Sequence, residues 1–115
     1  MGRARLTSAL ILADGFYEWQ GDKGNKQPMF LTLRDGSPFA FAGLWEIWQS
    51  PEGDEIRSAT ILTTSPNQVV KPIHDRMPVI LGSENFETWL DPLEREPEVF
   101  SSFFKPFPAD KMQTY

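Results

Sequence analysis

His74, Asp75 and Arg76 stand together in the run Ile73-His74-Asp75-Arg76-Met77-Pro78-Val79-Ile80-Leu81, and His74 is the only histidine of the chain. An imidazole titrates near neutrality, so His74 is the natural candidate for proton transfer. An arginine at a bend, here Arg76, suits bidentate contact with a phosphate. The second candidate is Glu18, an acid set among aromatics in Gly15-Phe16-Tyr17-Glu18-Trp19. Burial among rings favours the protonated form of a carboxyl, which suits a group that gives and then takes a proton. Each has a plainer reading. A lone histidine can be structural, Glu18 can be a rim carboxylate beside an aromatic cluster, and Asp75 can orient Arg76 or cap a turn.

The elements that position these residues read mostly as strands. Ser8–Ala13 is a short apolar run, Asp14-Gly15 a turn or bulge, and Phe16–Gln20 a strand rich in aromatics. Alternation puts Phe16 and Glu18 on one face and Tyr17 and Trp19 on the other. Gly21 to Gln27 is a polar hairpin loop, and Pro28–Arg34 the returning strand. Asp35-Gly36 signals a second hairpin. Phe39–Trp48 alternates large and small residues, as a strand packed tightly on one face does. Ile56–Thr64 is a β-branched strand.

Ser65-Pro66 has helix-start chemistry, so Asn67–Lys71 is expected as one or two helical turns ended by Pro72. Asn67 then reads as a helix-start residue. Met77–Leu81 returns to strand. Ser83 is placed to cap a helix over Glu84–Leu90, with Phe86, Trp89 and Leu90 on one face. A further helix is expected from Pro97, carrying Val99, Phe100, Phe103 and Phe104, and the tail from Lys105 reads as extended. The fold class is α+β: a β-rich mixed or antiparallel sheet, partly barrel-like, with short helices mainly in the C-terminal half.

Composition narrows the chemistry. With 115 residues, 40% of them hydrophobic, the chain has enough length to bury one core. No apolar run approaches the ~18 residues of a membrane span, so no membrane partner is expected. The chain contains no cysteine, which excludes a Cys nucleophile, a Cys-ligated zinc and an iron–sulfur cluster within it. One histidine excludes a multi-His metal site in a monomer, and no metal or cofactor is expected. The lack of cysteine fits a cytoplasmic location. A net charge of -5 argues against general polyanion binding without excluding a local basic groove. Lys23, Lys26 and Lys71 are surface lysines by default. Trp19, Trp45 and Trp48 are open to two readings, base stacking or core.

Several ordered motifs carry a resemblance: Ala13-Asp14-Gly15-Phe16-Tyr17-Glu18-Trp19, Lys26-Gln27-Pro28, Phe41-Ala42-Gly43-Leu44-Trp45-Glu46, Ile61-Leu62-Thr63-Thr64, His74 to Leu81, and Trp89-Leu90. In this order and spacing the chain resembles the SOS-response-associated peptidase (SRAP) family, the abasic-site-processing proteins. The resemblance implies a β-rich α+β protein that binds single-stranded DNA and senses abasic sites. It implies that an N-terminal cysteine captures the ring-opened sugar aldehyde as a thiazolidine crosslink. By the same resemblance Glu18 serves proton transfer in sugar opening and Schiff-base formation. His74 is then the acid/base for strand incision or crosslink reversal, and Arg76 holds a DNA phosphate.

The resemblance begins about halfway along a typical member and stops before its end, so residues 1–115 are expected to be a single, incomplete SRAP domain. The segment that would carry the cysteine, a sugar-contacting asparagine and several DNA-binding residues has no counterpart here, and residue 2 is Gly. As written, the chain forms no thiazolidine, which leaves its standing as an enzyme open. The alternatives are the Cys-type autopeptidase of the full-length family member and a non-catalytic interaction domain. Unpaired strand edges and exposed apolar surface are expected in such a fragment, and with them self-association.

Overall fold

Odd and even residues in the first half of Phe39–Gln49 feed two different cores, and the rest of the fold lies on either side of that strand. The computed structural model describes residues 6–91 and 101–115. Among these the strands are β1 (Thr7–Ala13), β2 (Phe16–Gln20), β3 (Gln27–Leu33), β4 (Phe39–Gln49), β5 (Glu55–Ile61), β6 (Thr63–Thr64), β7 (Met77–Pro78), β8 (Ile80–Leu81) and β9 (Met112–Thr114). An α-helix, α1, spans Phe86–Leu90. One sheet has the order β1-β4-β5, with β8 also paired to β4. A second has the order β2-β3-β9, and β6 pairs with β7. Every pairing is antiparallel and no barrel closes among the described residues. The architecture is thus mostly-β α+β.

Strand alternation explains the layering. Phe39 and Phe41 point to a core shared with Leu31, Val70, Ile73, Met77, Ile80 and Met112, flanked by Ile11 and Phe16. That core lies between the two sheets. Ala42 points to a second core with Val79, Leu81, Trp89 and Phe103, flanked by Leu10 and Leu44. β4 is therefore buried on both faces from Phe39 to Gly43, where one packed face was expected. Trp89 docks α1 on the first sheet by donating its indole N–H to the Ala9 carbonyl at 2.9 Å.

Several expectations change where tertiary pairing overrides local chemistry. The Ile56–Thr64 strand breaks at Leu62 and the Met77–Leu81 strand at Val79. At that point Leu62 N–H donates to the Ala42 carbonyl, Ala42 N–H to Val79 and Val79 N–H to Leu62, at 2.8–3.0 Å. This ring of bonds lets β6 and β7 peel off as their own pair. Asp35-Gly36 does make a turn, with Gly36 at φ 74° and the Asp35 carboxylate accepting the Ser37 N–H and hydroxyl. Those hydrogen bonds hold the Asp35 carboxyl below its ordinary pKa. Yet the turn joins no hairpin: β3 pairs with β2 and β9, and β4 with β1, β5 and β8. Turn residues specify a reversal, and burial decides the partner.

The Asn67–Lys71 segment makes successive turns and no regular helix. Ser83 caps nothing; a 3-10 turn at Ser83–Asn85 leads into a five-residue α1 whose Leu90 stays exposed. The tail from Lys105 is more than extended chain, because it ends in β9. The helix expected from Pro97 lies largely outside the described residues, although Phe103 is buried. No helix among the described residues is long and apolar enough to cross a membrane.

Gly43 gives a stability prediction. A Cβ there would sit 3.1 Å from the Thr60 carbonyl oxygen and 2.8 Å from Ile11 Cδ1, between β5 and β1. Gly43→Ala is expected to cost about 1–3 kcal/mol through overpacking, read as a lower denaturant midpoint at unchanged m-value.

Candidate functional site

Glu18 lies in the middle of β2, and its position is set by its neighbours on the same face. At i−2, Phe16 is pinned in the core, its ring edge-to-face with Phe41 at 5.6 Å and with Phe39 at 6.4 Å between centroids. At i+2, Gln20 Nε2 donates to the Pro72 carbonyl at 3.2 Å. Pro72 lies two residues before His74. The face that carries Glu18 is therefore held against the segment that carries the histidine. Glu18 is half-buried, accepts no hydrogen bond among the described residues, and keeps its oxygens open to solvent. Tyr17 and Trp19 are on the opposite face, as alternation requires, so they do not enclose the carboxyl. Trp19 is likewise not placed to stack a base beside Glu18.

The histidine segment is built from its own turns. Asn67 Oδ1 accepts the N–H groups of Val69 and Val70 at 3.0 Å, and its Nδ2 donates to the Phe107 carbonyl at 2.7 Å. Asn67 is thus a turn-capping residue fully used by the fold. Lys71 N–H reaches the Asn67 carbonyl, and the N–H groups of Ile73 and His74 both reach that of Val70. Buried Val70 and Ile73 anchor these turns in the inter-sheet core, leaving His74 at the surface.

His74 Nδ1 accepts the Arg76 N–H at 3.1 Å, which puts the neutral ring's proton on Nε2. When the ring is charged, the same nitrogen has the Arg76 carbonyl at 3.2 Å and the Asp75 carboxylate at 3.3 Å as acceptors. These contacts all fall on Nδ1, and Nε2 makes no hydrogen bond among the described residues. Asp75 therefore bears on His74 and does not orient Arg76.

Arg76 is oriented by Thr63. Its Nε and Nη2 donate to Thr63 Oγ1 at 3.3 and 3.1 Å, and Nη2 also reaches the Thr63 carbonyl at 2.9 Å. One edge of the guanidinium is spent on the protein, and Nη1 makes no hydrogen bond among the described residues. No carboxylate pairs with Arg76 among the described residues. Thr64 is turned elsewhere, donating to the Phe104 carbonyl at 2.9 Å. Three clefts, of about 260, 270 and 340 Å³, have none of Glu18, His74 and Arg76 in their walls. The candidate residues lie on β2 and on the 72–76 segment, which the Gln20–Pro72 bond joins. Sequence reading did not single out Gln20, although period-2 spacing from Glu18 puts it on the same face.

The profile of the SOS response associated peptidase (SRAP) family matches residues 3–115. The chain belongs to the SRAP family. Similar SRAP relatives include the abasic site processing protein YoqW of Bacillus subtilis, 47% identical over 107 residues, covering 92% of this chain and 48% of that protein. The abasic site processing protein HMCES of Gallus gallus is 37% identical over 102 residues, 71% of this chain and 30% of that one. A crystal structure of a protein from Bacteroides thetaiotaomicron superposes with a TM-score of 0.85 at 32% identity, over 95% of this chain and 48% of the other. The chain spans about half the length of the curated relatives it matches.

Proposed function

We propose that this chain is part of a protein that senses and processes abasic sites in single-stranded DNA, supplying the proton-handling and phosphate-holding groups of a covalent capture site. The observation that supports this reading is the Gln20–Pro72 bond, which ties the strand carrying Glu18 to the segment leading into His74 and Arg76, with the Arg76 guanidinium held on Thr63. In the scheme, an amine condenses with the ring-opened sugar aldehyde, water leaves, and a thiol adds to the imine carbon to close a thiazolidine. Glu18 passes the protons of ring opening and condensation, His74 Nε2 serves as acid/base for incision or reversal, and Arg76 holds a phosphate. The chain has no cysteine, so the thiol and its amine come from outside this sequence. On this reading residues 1–115 are one incomplete SRAP domain, acting in the cytoplasm.

The test compares this chain with a form extended by the cysteine-bearing half found in full-length relatives. Both are incubated with single-stranded DNA bearing one abasic site and run on a denaturing gel. A shifted band for the extended protein alone supports the reading. A band for neither sinks it. The Cys-type autopeptidase alternative needs the same absent cysteine.

Arg76 gives a separate expectation. Arg76→Ala is expected to weaken binding uniformly across sequences and to reduce the slope of log affinity against log salt by about 0.7, the share of one phosphate on a single strand. Fluorescence anisotropy over a salt series measures both. Arg76→Lys keeps the charge but not the Thr63 contacts, and should recover only part of the loss.

A second reading, an interaction domain, draws on the outer face of the second sheet. Tyr17, Phe30 and Tyr115 form a row across β2 and β3 to the residue after β9, with ring centroids 4.8 and 6.4 Å apart, and Trp19 sits beside Tyr17. Tyr17 is 62% and Tyr115 68% exposed. β2 has no partner on its outer edge among the described residues, and β5 is exposed along its length. Such edges and rings favour self-association. Sedimentation at micromolar concentration is expected to show a species heavier than 13.1 kDa, shifted toward monomer by Tyr17→Lys. A monomer throughout would remove this reading.

A further inference from the structure

Gln20 has no role in the resemblance and none in the chemistry above, yet it makes a side-chain hydrogen bond from β2 to the segment leading into His74. The bond crosses 52 residues of sequence. Only the amide nitrogen can donate to a carbonyl oxygen, so the contact fixes the orientation of the Gln20 amide as well. β2 otherwise has one paired edge, to β3, with Gln20 opposite Gln27 at the loop end of the hairpin. That end of the hairpin lacks the core contact Phe16 makes at the other. Beyond its pairing with β3, the amide bond ties this end of the strand to the Pro72 segment, and Glu18 lies midway between it and Phe16.

We infer that Gln20 is a positioning residue: its bond to the Pro72 carbonyl sets the separation between the carboxyl of Glu18 and the imidazole of His74. The inference rests on the reading of those two groups as the proton-handling pair. Pro72 is well suited as the receiving point. Its ring restricts the backbone immediately before Ile73, and Ile73 is buried in the inter-sheet core. A pull on the Pro72 carbonyl is thus transmitted over a short, stiff span to His74, whose own N–H is tied to Val70. Losing the amide unties the loop end of the β2–β3 hairpin from the Pro72 segment and leaves the Pro72 carbonyl to water, with the core untouched.

The test uses the chain itself, because its single histidine gives one imidazole Cε1–H line in an NMR spectrum. Gln20→Leu keeps the size and removes the donor. It is expected to move the His74 line and to speed amide exchange at Ile73 and His74 about three- to tenfold, the worth of one hydrogen bond. Exchange at the β1 and β4 amides should hold. Gln20→Glu supplies the rescue: ionised at neutral pH it cannot donate and should behave as Gln20→Leu does. Near pH 4 its protonated fraction can donate, and the His74 line should move back toward that of the parent at the same pH.

An unmoved His74 line in Gln20→Leu would overturn the inference. So would exchange that rises equally across β1 and β4, since that marks general loosening and not positioning. In the extended, cysteine-bearing protein, Gln20→Leu should slow crosslinking with strand affinity unchanged. An extended parent that makes no crosslink would bring down the proposed function while the NMR result stands or falls by itself.

Discussion

Glu18→Gln in the extended, cysteine-bearing protein is expected to slow crosslinking to an abasic strand by about 10²-fold or more, the usual worth of a positioned acid/base group. Strand affinity should change by less than about twofold, because the substitution removes no cation and keeps the side chain's length. The structure gives three reasons to expect an effect on the chemical step alone. Glu18 accepts no hydrogen bond among the described residues, so its loss strands no partner. Its neighbours Phe16 and Gln20 hold the strand in place whatever residue 18 is. Tyr17 and Trp19 lie on the other face and are indifferent to the change. Single-turnover gels of parent and variant, beside equilibrium anisotropy, measure the two quantities separately. Equal rates would remove Glu18 from the mechanism. Equal loss of rate and affinity would make it a binding residue.

Trp89→Ala is expected to have the largest effect on stability. The side chain is 3% exposed, packs edge-to-face on Phe103 at 5.9 Å and on Phe104 at 6.4 Å, and belongs to the second core. Truncating a buried tryptophan costs about 3–5 kcal/mol, against a total of about 5–15 kcal/mol for a domain. It also removes the donor that α1 offers to the Ala9 carbonyl. A fall in melting temperature of about 15 °C or more follows for a domain of this size, and the variant should be largely unfolded at 37 °C. Trp89→Phe keeps most of the apolar contact and loses the indole N–H, so its cost should stay near 1–2 kcal/mol. Thermal unfolding followed by circular dichroism separates the two terms. A Trp89→Phe cost equal to that of Trp89→Ala would mean that the single hydrogen bond, and not the packing, docks the helix.

The placement of Glu18 was legible because alternation is strict within a strand: once Phe16 is inward, Glu18 is inward and Tyr17 and Trp19 are out. The loop before Pro28 was legible for a similar reason, since glycines and polar residues there serve only the local turn. The same reasoning misled at Asp35-Gly36, where the turn forms but the strands it joins pair elsewhere. It misled again at Leu62 and Val79, whose backbone bonds to Ala42 break two runs that read as continuous strands.

Types and spacings in the chain were enough to name the family, to put a carboxyl, an imidazole and a guanidinium forward as one set, and to rule out a cysteine of its own. They could not show that Arg76 leans on Thr63 in place of Asp75, that Asn67 is spent on a turn, or that Gln20 reaches Pro72. Each of those facts is a contact between distant or differently turned segments. Local propensity acts over a few residues, whereas such contacts depend on how two sheets share one core, and burial of that core outweighs any single local preference.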